Sequence, residues 1–481
     1  MSTTHSTDSE LCKNEKDVSN ESVKLESGVT SHDPVLERSA IRAIDWRLMP
    51  IFALVYSFSL IVRMNISSAY TAGMSADLQL SIDNRYSIIN CMYLMPFLFL
   101  QLPGNLVLRR LGVRNMLAFV VFGEGICVLG MGFARSWGWL VLCRVLEGAF
   151  ECVILSSMLF LMSTWYKRYE VHKRVAIFLQ ISITAGGLSP LFGYALNQMD
   201  GVGNYAGWRW IFIIEGLLMV VLSTTTYLLI PEFPDRNTFL TVEQTEAVLK
   251  RIDEDRGDAM PDEITYQKIK RHMGDWKIWC YGLIFLFYAL PGYGQNFFLP
   301  IILKGMGWST KAALLLSVLP FLPSLPICII LSHYSDKLKH RGSFIIGGTV
   351  VCSIGLALTA FAKENSVRYL GIFLMNAGNG STVPAMIAYS MNNVVTHSKR
   401  SVVSAITLSC SSVGGVIASV TFRAADYPRY IPGLSVTMGC QLMVVVVVIP
   451  LTYHLYNQNK LSREGKLAEP LEGVPGFQYT L

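Results

Sequence analysis

Long apolar runs separated by short polar segments recur along most of the chain. Each run is about 20 residues long, which as an α-helix is enough to cross the roughly 30 Å hydrocarbon core of a bilayer. The first six lie near 48–68, 87–107, 116–134, 138–162, 175–196 and 210–230, and the second six near 277–299, 312–333, 343–361, 367–391, 401–421 and 433–455. The pattern predicts an all-α integral membrane protein of about twelve transmembrane helices in two halves.

Polar segments set the expected boundaries between these parts. Residues 1–45 are rich in Ser, Glu, Lys, Asp and Thr and contain no apolar run, so a disordered cytosolic tail is predicted there. The two six-helix halves are expected at 46–231 and 277–456, joined by a cytosolic linker at 232–276, with a second cytosolic tail at 457–481.

Composition and charge support a membrane protein and weaken other classes. The 481 residues are 52% hydrophobic and only 15% charged, which is too apolar for a soluble protein of this length. Lys and Arg give a net charge of +6, but they form short clusters in alternate loops instead of one basic stripe, so no nucleic-acid partner is expected. Positive charge resists translocation, and these loops and both termini are therefore expected in the cytosol.

The sequence offers no candidate catalytic residues. The eight histidines show neither HxxxH nor HxxH spacing, and no metal, cofactor or nucleophile motif accompanies them. An enzyme is therefore not expected, nor is a cofactor or a metal, and the chain is expected to act as a monomer. A carrier of small solutes and a solute sensor built on the same scaffold remain the alternatives.

Ionisable residues inside the apolar runs are the candidates for function. A charge at the centre of a bilayer costs roughly 2.5–3.5 kcal/mol, so each such group needs a partner or water. The candidates are Arg63, Glu124, Arg144, Glu147, Glu151 and Glu215. Arg63 offers a planar, permanently charged fork to a carboxylate, although a guanidinium so near the end of its span can also snorkel to the interface.

The fourth span carries three ionisable residues on one helical face. Arg144, Glu147 and Glu151 stand at i, i+3 and i+7, and a charged face of a membrane helix turns inward. We expect Arg144 to anchor an anion and Glu151 to exchange a proton, and Glu147 to serve structure. The alternative is an Arg–Glu pair that only locks helices together. Glu124 and Glu215 are also expected to be structural.

Aromatic and amide side chains within the spans can hydrogen-bond a solute. Tyr93, Tyr293, Asn296 and Asn392 are candidates of this kind. Tyr293 and Asn296 of the seventh span are the stronger candidates for substrate contact. Pro291, Gly292 and Gly294 weaken that helix locally, and broken helices often form binding sites in carriers.

Several stretches resemble the major facilitator superfamily, in particular its anion:cation symporter branch and the fungal allantoate and vitamin permeases. The resemblance covers about residues 45–460. Its stretches are Arg63–Ile66, Arg144–Glu151, Gly207–Gly216 and Asp426–Tyr430, together with the loops at 104–114 and 331–341, which match the superfamily signature in part.

The resemblance implies a two-domain carrier that exposes a central site to alternate sides and moves an organic anion with a proton. It implies a plasma-membrane permease for a small carboxylate or ureide such as nicotinate, pantothenate, biotin or allantoate, with nicotinate favoured. Arg63, Asn65 and Arg144 are expected to bind the anion, Glu151 to couple the proton, and Asp336 and Arg341 to act in gating.

One position departs from the pattern of this branch. Its carriers usually have an acid directly before the first-span arginine, but Val62 occupies that position here. Glu151 then couples alone, or proton coupling is weak.

Overall fold

The computed structural model describes residues 34–231, 234, 237, 239–257, 266–338, 340–467, 470–473 and 476–481. Residues 1–33, most of the predicted N-terminal tail, lie outside this part. Long α-helices account for most of the described residues, and nine helical segments within them are long and apolar enough to cross a membrane.

Six helical segments form the N-terminal half, and five of them are among these nine. They are α1 (Pro34–Ala69), α2 (Arg85–Leu111), α3 (Val113–Gly132), α4 (Trp137–Trp165), α5 (Arg168–Gly187) continued by α6 (Ser189–Asn197), and α7 (Gly207–Leu229). Two shorter helices, α8 (Val242–Gly257) and α9 (Tyr266–Met273), follow in the linker.

Six further segments form the C-terminal half. They are α10 (Trp276–Gly305), α11 (Thr310–Val318) continued by α12 (Ser324–Leu338), α13 (Arg341–Phe361), α14 (Asn365–Asn392), α15 (His397–Thr421) and α16 (Ile431–Arg463). The predicted all-helical membrane fold of two six-helix halves is confirmed.

An even number of crossings puts both chain ends at one end of the bundle. We name this end, which carries Pro34, the linker helices and Arg463, the tail face, and the opposite end the far face. Helix α1 begins at Pro34, so residues 34–45, which the sequence analysis placed in the tail, are helical in the structure. Likewise α16 continues to Arg463, beyond the expected end of the second half.

The prolines of α10 leave backbone carbonyls that other helices use. A proline has no N–H for the carbonyl four residues earlier, and inside a membrane that carbonyl needs another donor. The Phe287 carbonyl, freed by Pro291, accepts from Gln441 Nε2 of α16 at 3.4 Å. The Asn296 carbonyl, freed by Pro300, accepts from the Ser67 hydroxyl at 3.2 Å, which joins α10 to α1 across the two halves.

The two halves meet closely toward the far face. Tyr86 donates to the Phe297 carbonyl at 2.6 Å, and Ser87 donates to the Phe422 carbonyl at 3.2 Å. Lys304 Nζ, at the far end of α10, donates to the Thr71 carbonyl at 3.1 Å. The structure is therefore a conformation closed at its far face.

At the tail face, linker helix α8 docks on the N-terminal half through ion pairs. Arg251 of α8 pairs with both Glu37 of α1 and Glu170 of α5. Arg174 of α5 forms a two-point ion pair with Asp45 of α1, at 2.6 and 2.8 Å. Helices α1, α5 and α8 are thereby joined at their tail-face ends.

The C-terminal residues form a strap across the tail face of the other half. We define the strap as the described residues of 470–481. The side-chain amide of Asn459 hydrogen-bonds both the main-chain N–H and the C=O of Tyr479. The side-chain amide of Asn393 does the same for Thr480, and all four bonds are 2.7–3.0 Å long. The backbone N–H of Gly342 in α13 donates to the Leu481 carbonyl at 3.2 Å.

Ion pairs hold the same strap from a second side. Glu472 accepts from Lys277 of α10 and Lys399 of α15, each at 2.8 Å, and Asp275 accepts from Lys399 at 2.7 Å. The sequence analysis expected only a tail at 457–481. The sequence analysis did not predict these amide–backbone pairs because the two partners of each pair are far apart in the chain.

We predict that the strap stays bound at mildly acidic pH and detaches only in strong acid. Burial opposes ionisation of Asp275 and Glu472, but hydrogen bonds and charge from Lys277 and Lys399 outweigh it and lower the pKa of both carboxyls. Because the pKa is lowered in the bound state, the two carboxylates stabilise that state at pH values above the ordinary carboxyl pKa of about 4. This stabilisation is lost as the pH falls below that value. Residues 476–481 should stay protected from hydrogen exchange at pH 5, when the rate is compared with the intrinsic rate at the same pH, and should lose this protection below about pH 4. Loss of protection already at pH 5 contradicts the prediction.

Candidate functional site

An ion pair between α1 and α4 lies inside the N-terminal half. Arg63 donates to Glu151, whose other carboxylate oxygen accepts from the hydroxyl of Tyr93 in α2. The Arg63 side chain is 12% exposed and that of Glu151 only 1%. Arg63 therefore does not snorkel to the interface, and its guanidinium is the more accessible member of the pair.

A second ion pair lies deeper in the same half. Arg144 pairs with Glu147 one helical turn later at 3.2 Å, and both side chains are fully buried. The guanidinium carbons of Arg63 and Arg144 lie 5.7 and 5.5 Å from the centre of the Tyr93 ring. Since an aromatic face attracts cations, Tyr93 couples the two pairs as well as binding Glu151.

Glu124 of α3 is buried beside these pairs. The charged side chains nearest to Glu124 are Glu151, Glu147 and Arg63, and the Ser59 hydroxyl faces it. In the described part, neither carboxylate oxygen of Glu124 makes a hydrogen bond of ordinary geometry. Burying a carboxylate without a partner is costly, so Glu124 is the least well satisfied acid of this region.

Asn65 and Glu215 form a separate contact. Asn65 donates its side-chain amide to Glu215 of α7, and both are buried. Arg209, six residues before Glu215 in the same helix, donates to the Gly132 carbonyl at 3.0 Å. In this conformation the Asn65 side chain is thus occupied within its own half.

The C-terminal half contributes α10 to the same region. Tyr293 is within electrostatic reach of Arg63 and Glu151, and its ring packs against Phe297 with 5.8 Å between centroids. Asn296 is partly buried and its carbonyl binds Ser67 of α1. Arg63, Tyr93, Arg144, Glu151 and Tyr293, all predicted from the sequence, are therefore brought together.

The remaining residues singled out in the sequence lie away from the two ion pairs. Asn392 is exposed at the tail-face end of α14, away from the ion pairs. Arg341 begins α13 at the tail face, and the side chain of Asp336 lies outside the described part, so their gating role stays a prediction. Val62, which replaces the usual acid, is fully buried in the hydrophobic core.

Three further residues of the site were missed in the sequence. Tyr56 and Ser59 precede Arg63 by seven and four positions, which places all three on one face of α1, and that spacing was a usable signal. Phe97 lies one turn after Tyr93, and its ring is 5.7 Å from the Arg63 guanidinium carbon. The two rings form an aromatic wall beside Arg63.

Gly148 allows α4 to approach α2 closely enough for this site to form. A Cβ at this position would lie 2.1 Å from the Tyr93 carbonyl oxygen, a backbone atom that cannot give way without moving α2. Gly148 is three residues before Glu151, so the close approach brings Glu151 to Tyr93 and Arg63.

Replacing Gly148 by Ala is expected to lower stability by about 1–3 kcal/mol, the usual cost of overpacking, and to lower transport by separating α2 from α4. The measurement is the thermal unfolding midpoint of the purified protein in detergent. Gly138→Ala in the same helix is the control, because nothing lies within 4 Å of its added methyl group. Equal unfolding midpoints for both variants would contradict the close approach.

Comparison with known proteins places this chain in a family. Residues 52–419 match the Major Facilitator Superfamily, and the chain belongs to it. The fold also resembles the crystal structure of a bacterial homologue of the human lysosomal transporter Spinster, in an inward-facing and unoccupied conformation. The TM-score is 0.67 at 17% identity, covering 84% of this chain and 95% of that one.

Its curated relatives include several fungal transporters. An uncharacterized transporter of Schizosaccharomyces pombe is 28% identical over 427 residues, covering 89% of this chain and 85% of the relative. The high-affinity nicotinic acid transporter of Saccharomyces cerevisiae is 25% identical over 467 residues, covering 94% and 87%. The major facilitator-type transporter hxnP of Emericella nidulans is 27% identical, covering 85% and 83%. This chain is therefore a membrane transporter of the superfamily.

Proposed function

We propose that this transporter imports a small organic carboxylate, such as nicotinate, together with a proton. The observation that carries the proposal is the Arg63–Glu151 pair, in which a partly accessible guanidinium is held by a buried carboxylate. The similarity to a transporter named for nicotinic acid supports the substrate class. The cation-rich tail face supports a cytosolic location for both termini, and a plasma-membrane site follows from import.

Substrate and Glu151 compete for the same cation. A substrate carboxylate that takes the guanidinium fork of Arg63 leaves Glu151 buried without its ion-pair partner. Removing one partner from a buried pair costs about 3–5 kcal/mol, so Glu151 binds a proton instead of remaining an anion. One proton is taken up for each carboxylate bound, and the local net charge is unchanged.

Release reverses these steps on the other side of the membrane. When Glu151 loses its proton, its carboxylate recovers Arg63 and displaces the substrate. Tyr93 holds the Glu151 carboxyl in position in both states, because a hydroxyl can donate to the neutral acid as well as to the anion. The contacts of Tyr86, Ser87 and Lys304 close the far face during the tail-face stage of this cycle.

Uptake into cells tests the function directly. Cells expressing the chain should accumulate radiolabelled nicotinate or another compound of a carboxylate panel faster at pH 5 than at pH 7.5, and a protonophore should abolish the difference. Arg63→Ala should reduce saturable uptake to the level of control cells at equal amounts in the membrane, since the anion loses its fork. Arg85→Ala is the control, because Arg85 stacks on Trp137 near the far face, 5.2 Å from the ring centre.

Failure of every compound in the panel would contradict a carboxylate carrier and would favour the sensor. Uptake retained by Arg63→Ala would remove Arg63 from the site but leave the transporter class intact.

Glu151→Gln separates proton coupling from substrate movement. The amide cannot exchange a proton at Glu151, so accumulation against a gradient should be lost while exchange of labelled for unlabelled substrate continues. Efflux of preloaded label from proteoliposomes, with and without external substrate, measures the two processes. Intact accumulation by Glu151→Gln would assign the proton to another group.

A further inference from the structure

An asparagine of α2 lies between the far-face contacts and the Arg63 site. Asn90 stands four residues after Tyr86 and three before Tyr93, so the three side chains share one face of the helix. Tyr86 donates to the Phe297 carbonyl of α10 at 2.6 Å, and the Tyr93 ring packs edge-on against the Phe297 ring with 6.5 Å between centroids. The face that carries Asn90 is therefore turned toward the other half of the protein.

The polar atoms of Asn90 are unpaired in this conformation. Asn90 is fully buried, and neither its Nδ2 nor its Oδ1 makes a hydrogen bond of ordinary geometry in the described part. The Tyr86 hydroxyl faces Asn90 but donates to the Phe297 carbonyl. A buried amide without a partner costs free energy, and an apolar side chain of similar size would fill the position without that cost. Helix packing alone therefore does not explain Asn90.

Arg144 leaves two donors unpaired at the same part of α2. Its Nη1 pairs with Glu147, whereas its Nε and Nη2 are buried and have no hydrogen-bond partner among the described residues. Its guanidinium carbon lies 5.5 Å from the centre of the Tyr93 ring, and the Tyr86 hydroxyl is within its electrostatic reach. Arg144 and Asn90 together thus present three unpaired nitrogen donors and one unpaired oxygen acceptor near the stretch from Tyr86 to Tyr93.

Arg63 and Asn90 lie on opposite sides of Tyr93 along α2. The Arg63 guanidinium carbon is 5.7 Å from the ring centres of both Tyr93 and Phe97, which places it on the tail-face side of Tyr93. Asn90 is on the far-face side. At 1.5 Å per residue, the helix rises about 7 Å between the two levels, a distance that one small ring acid and its hydrogen bonds can span. A solute whose carboxylate binds Arg63 can therefore place its other end beside Asn90.

We propose that Asn90 is a substrate-binding residue, which hydrogen-bonds a neutral nitrogen or oxygen at the far-face end of a solute whose carboxylate binds Arg63. The inference rests on the proposed function and deepens it by naming the substrate class, a carboxylate with a polar atom at its other end. Asn90 Nδ2 donates to a ring nitrogen or a carbonyl, and Asn90 Oδ1 accepts from the N–H of a ureide. A carboxylate that is apolar at its other end leaves Asn90 unpaired and binds less well.

The test compares nicotinate with benzoate, which has the same shape but carries C–H in place of the ring nitrogen. The wild-type protein should take up nicotinate at least about tenfold faster than benzoate, the discrimination expected of one buried hydrogen bond. Asn90→Leu should bring this ratio to one or below, because the ring nitrogen loses its partner while benzoate uptake continues. Asn90→Ala should act in the same direction and guards against a steric effect of leucine. The measurement is the initial rate of uptake of each labelled compound at equal amounts of protein in the membrane.

Thermal unfolding of the purified proteins separates binding from packing. Because the Asn90 amide is unpaired in the closed conformation, Asn90→Leu without ligand should unfold at the wild-type temperature or above it, but should lose its stabilisation by nicotinate. Asn393→Leu is the matched control, since Asn393 is also buried but hydrogen-bonds the Tyr389 carbonyl and the backbone of Thr480. This control should lower the unfolding midpoint and leave the uptake ratio unchanged.

An unchanged ratio in both Asn90 variants, or an equal loss of nicotinate and benzoate uptake, would overturn the substrate role and assign Asn90 to packing. Acid-stimulated uptake of both compounds without discrimination by the wild type would overturn this inference alone. Absence of uptake and of stabilisation by either compound would also overturn it, and failure of the whole carboxylate panel would overturn the proposed function too.

Discussion

The Arg63–Glu151 ion pair is the constraint on which the rest of the site depends. Two opposite charges inside an apolar bundle hold each other in place, and neither can leave unless another group takes its role. The proposed cycle uses that property: a substrate anion replaces Glu151 as the partner of Arg63, and a proton replaces Arg63 as the partner of Glu151. Tyr93 contacts both members and the second arginine, Arg144, so it links the two ion pairs.

Small residues set the distances at which this chemistry takes place. Gly148 allows α4 to reach α2, and Gly415 allows α15 to approach Leu94 and Tyr293, where a Cβ would lie within 2.7–2.9 Å of these side chains. In a membrane, helices gain little from the hydrophobic effect when they associate, so close packing and interhelical hydrogen bonds carry more of the energy. The same glycines that tighten the bundle therefore also align the site.

Irregular backbone has a defined use in α10. Pro291 and Pro300 each free a carbonyl, and these bind Gln441 within the C-terminal half and Ser67 across the two halves. The helix that carries Tyr293 is thus both a wall of the site and part of the far-face contact. At the tail face the strap and linker helix α8 each join helices of one half, which favours movement of the halves as units.

Hydrophobic periodicity determined the number and order of the spans, and helical spacing placed Arg144, Glu147 and Glu151 on one inward face, because both properties are local in the chain. Only the tertiary structure decided which partner each charge meets. Glu215 meets Asn65, Arg63 turns inward to Glu151, and Asn392 lies away from the site. The strap likewise joins residues remote in sequence. Partner choice depends on how helices pack around one another, and a single chain read along its length does not specify that packing.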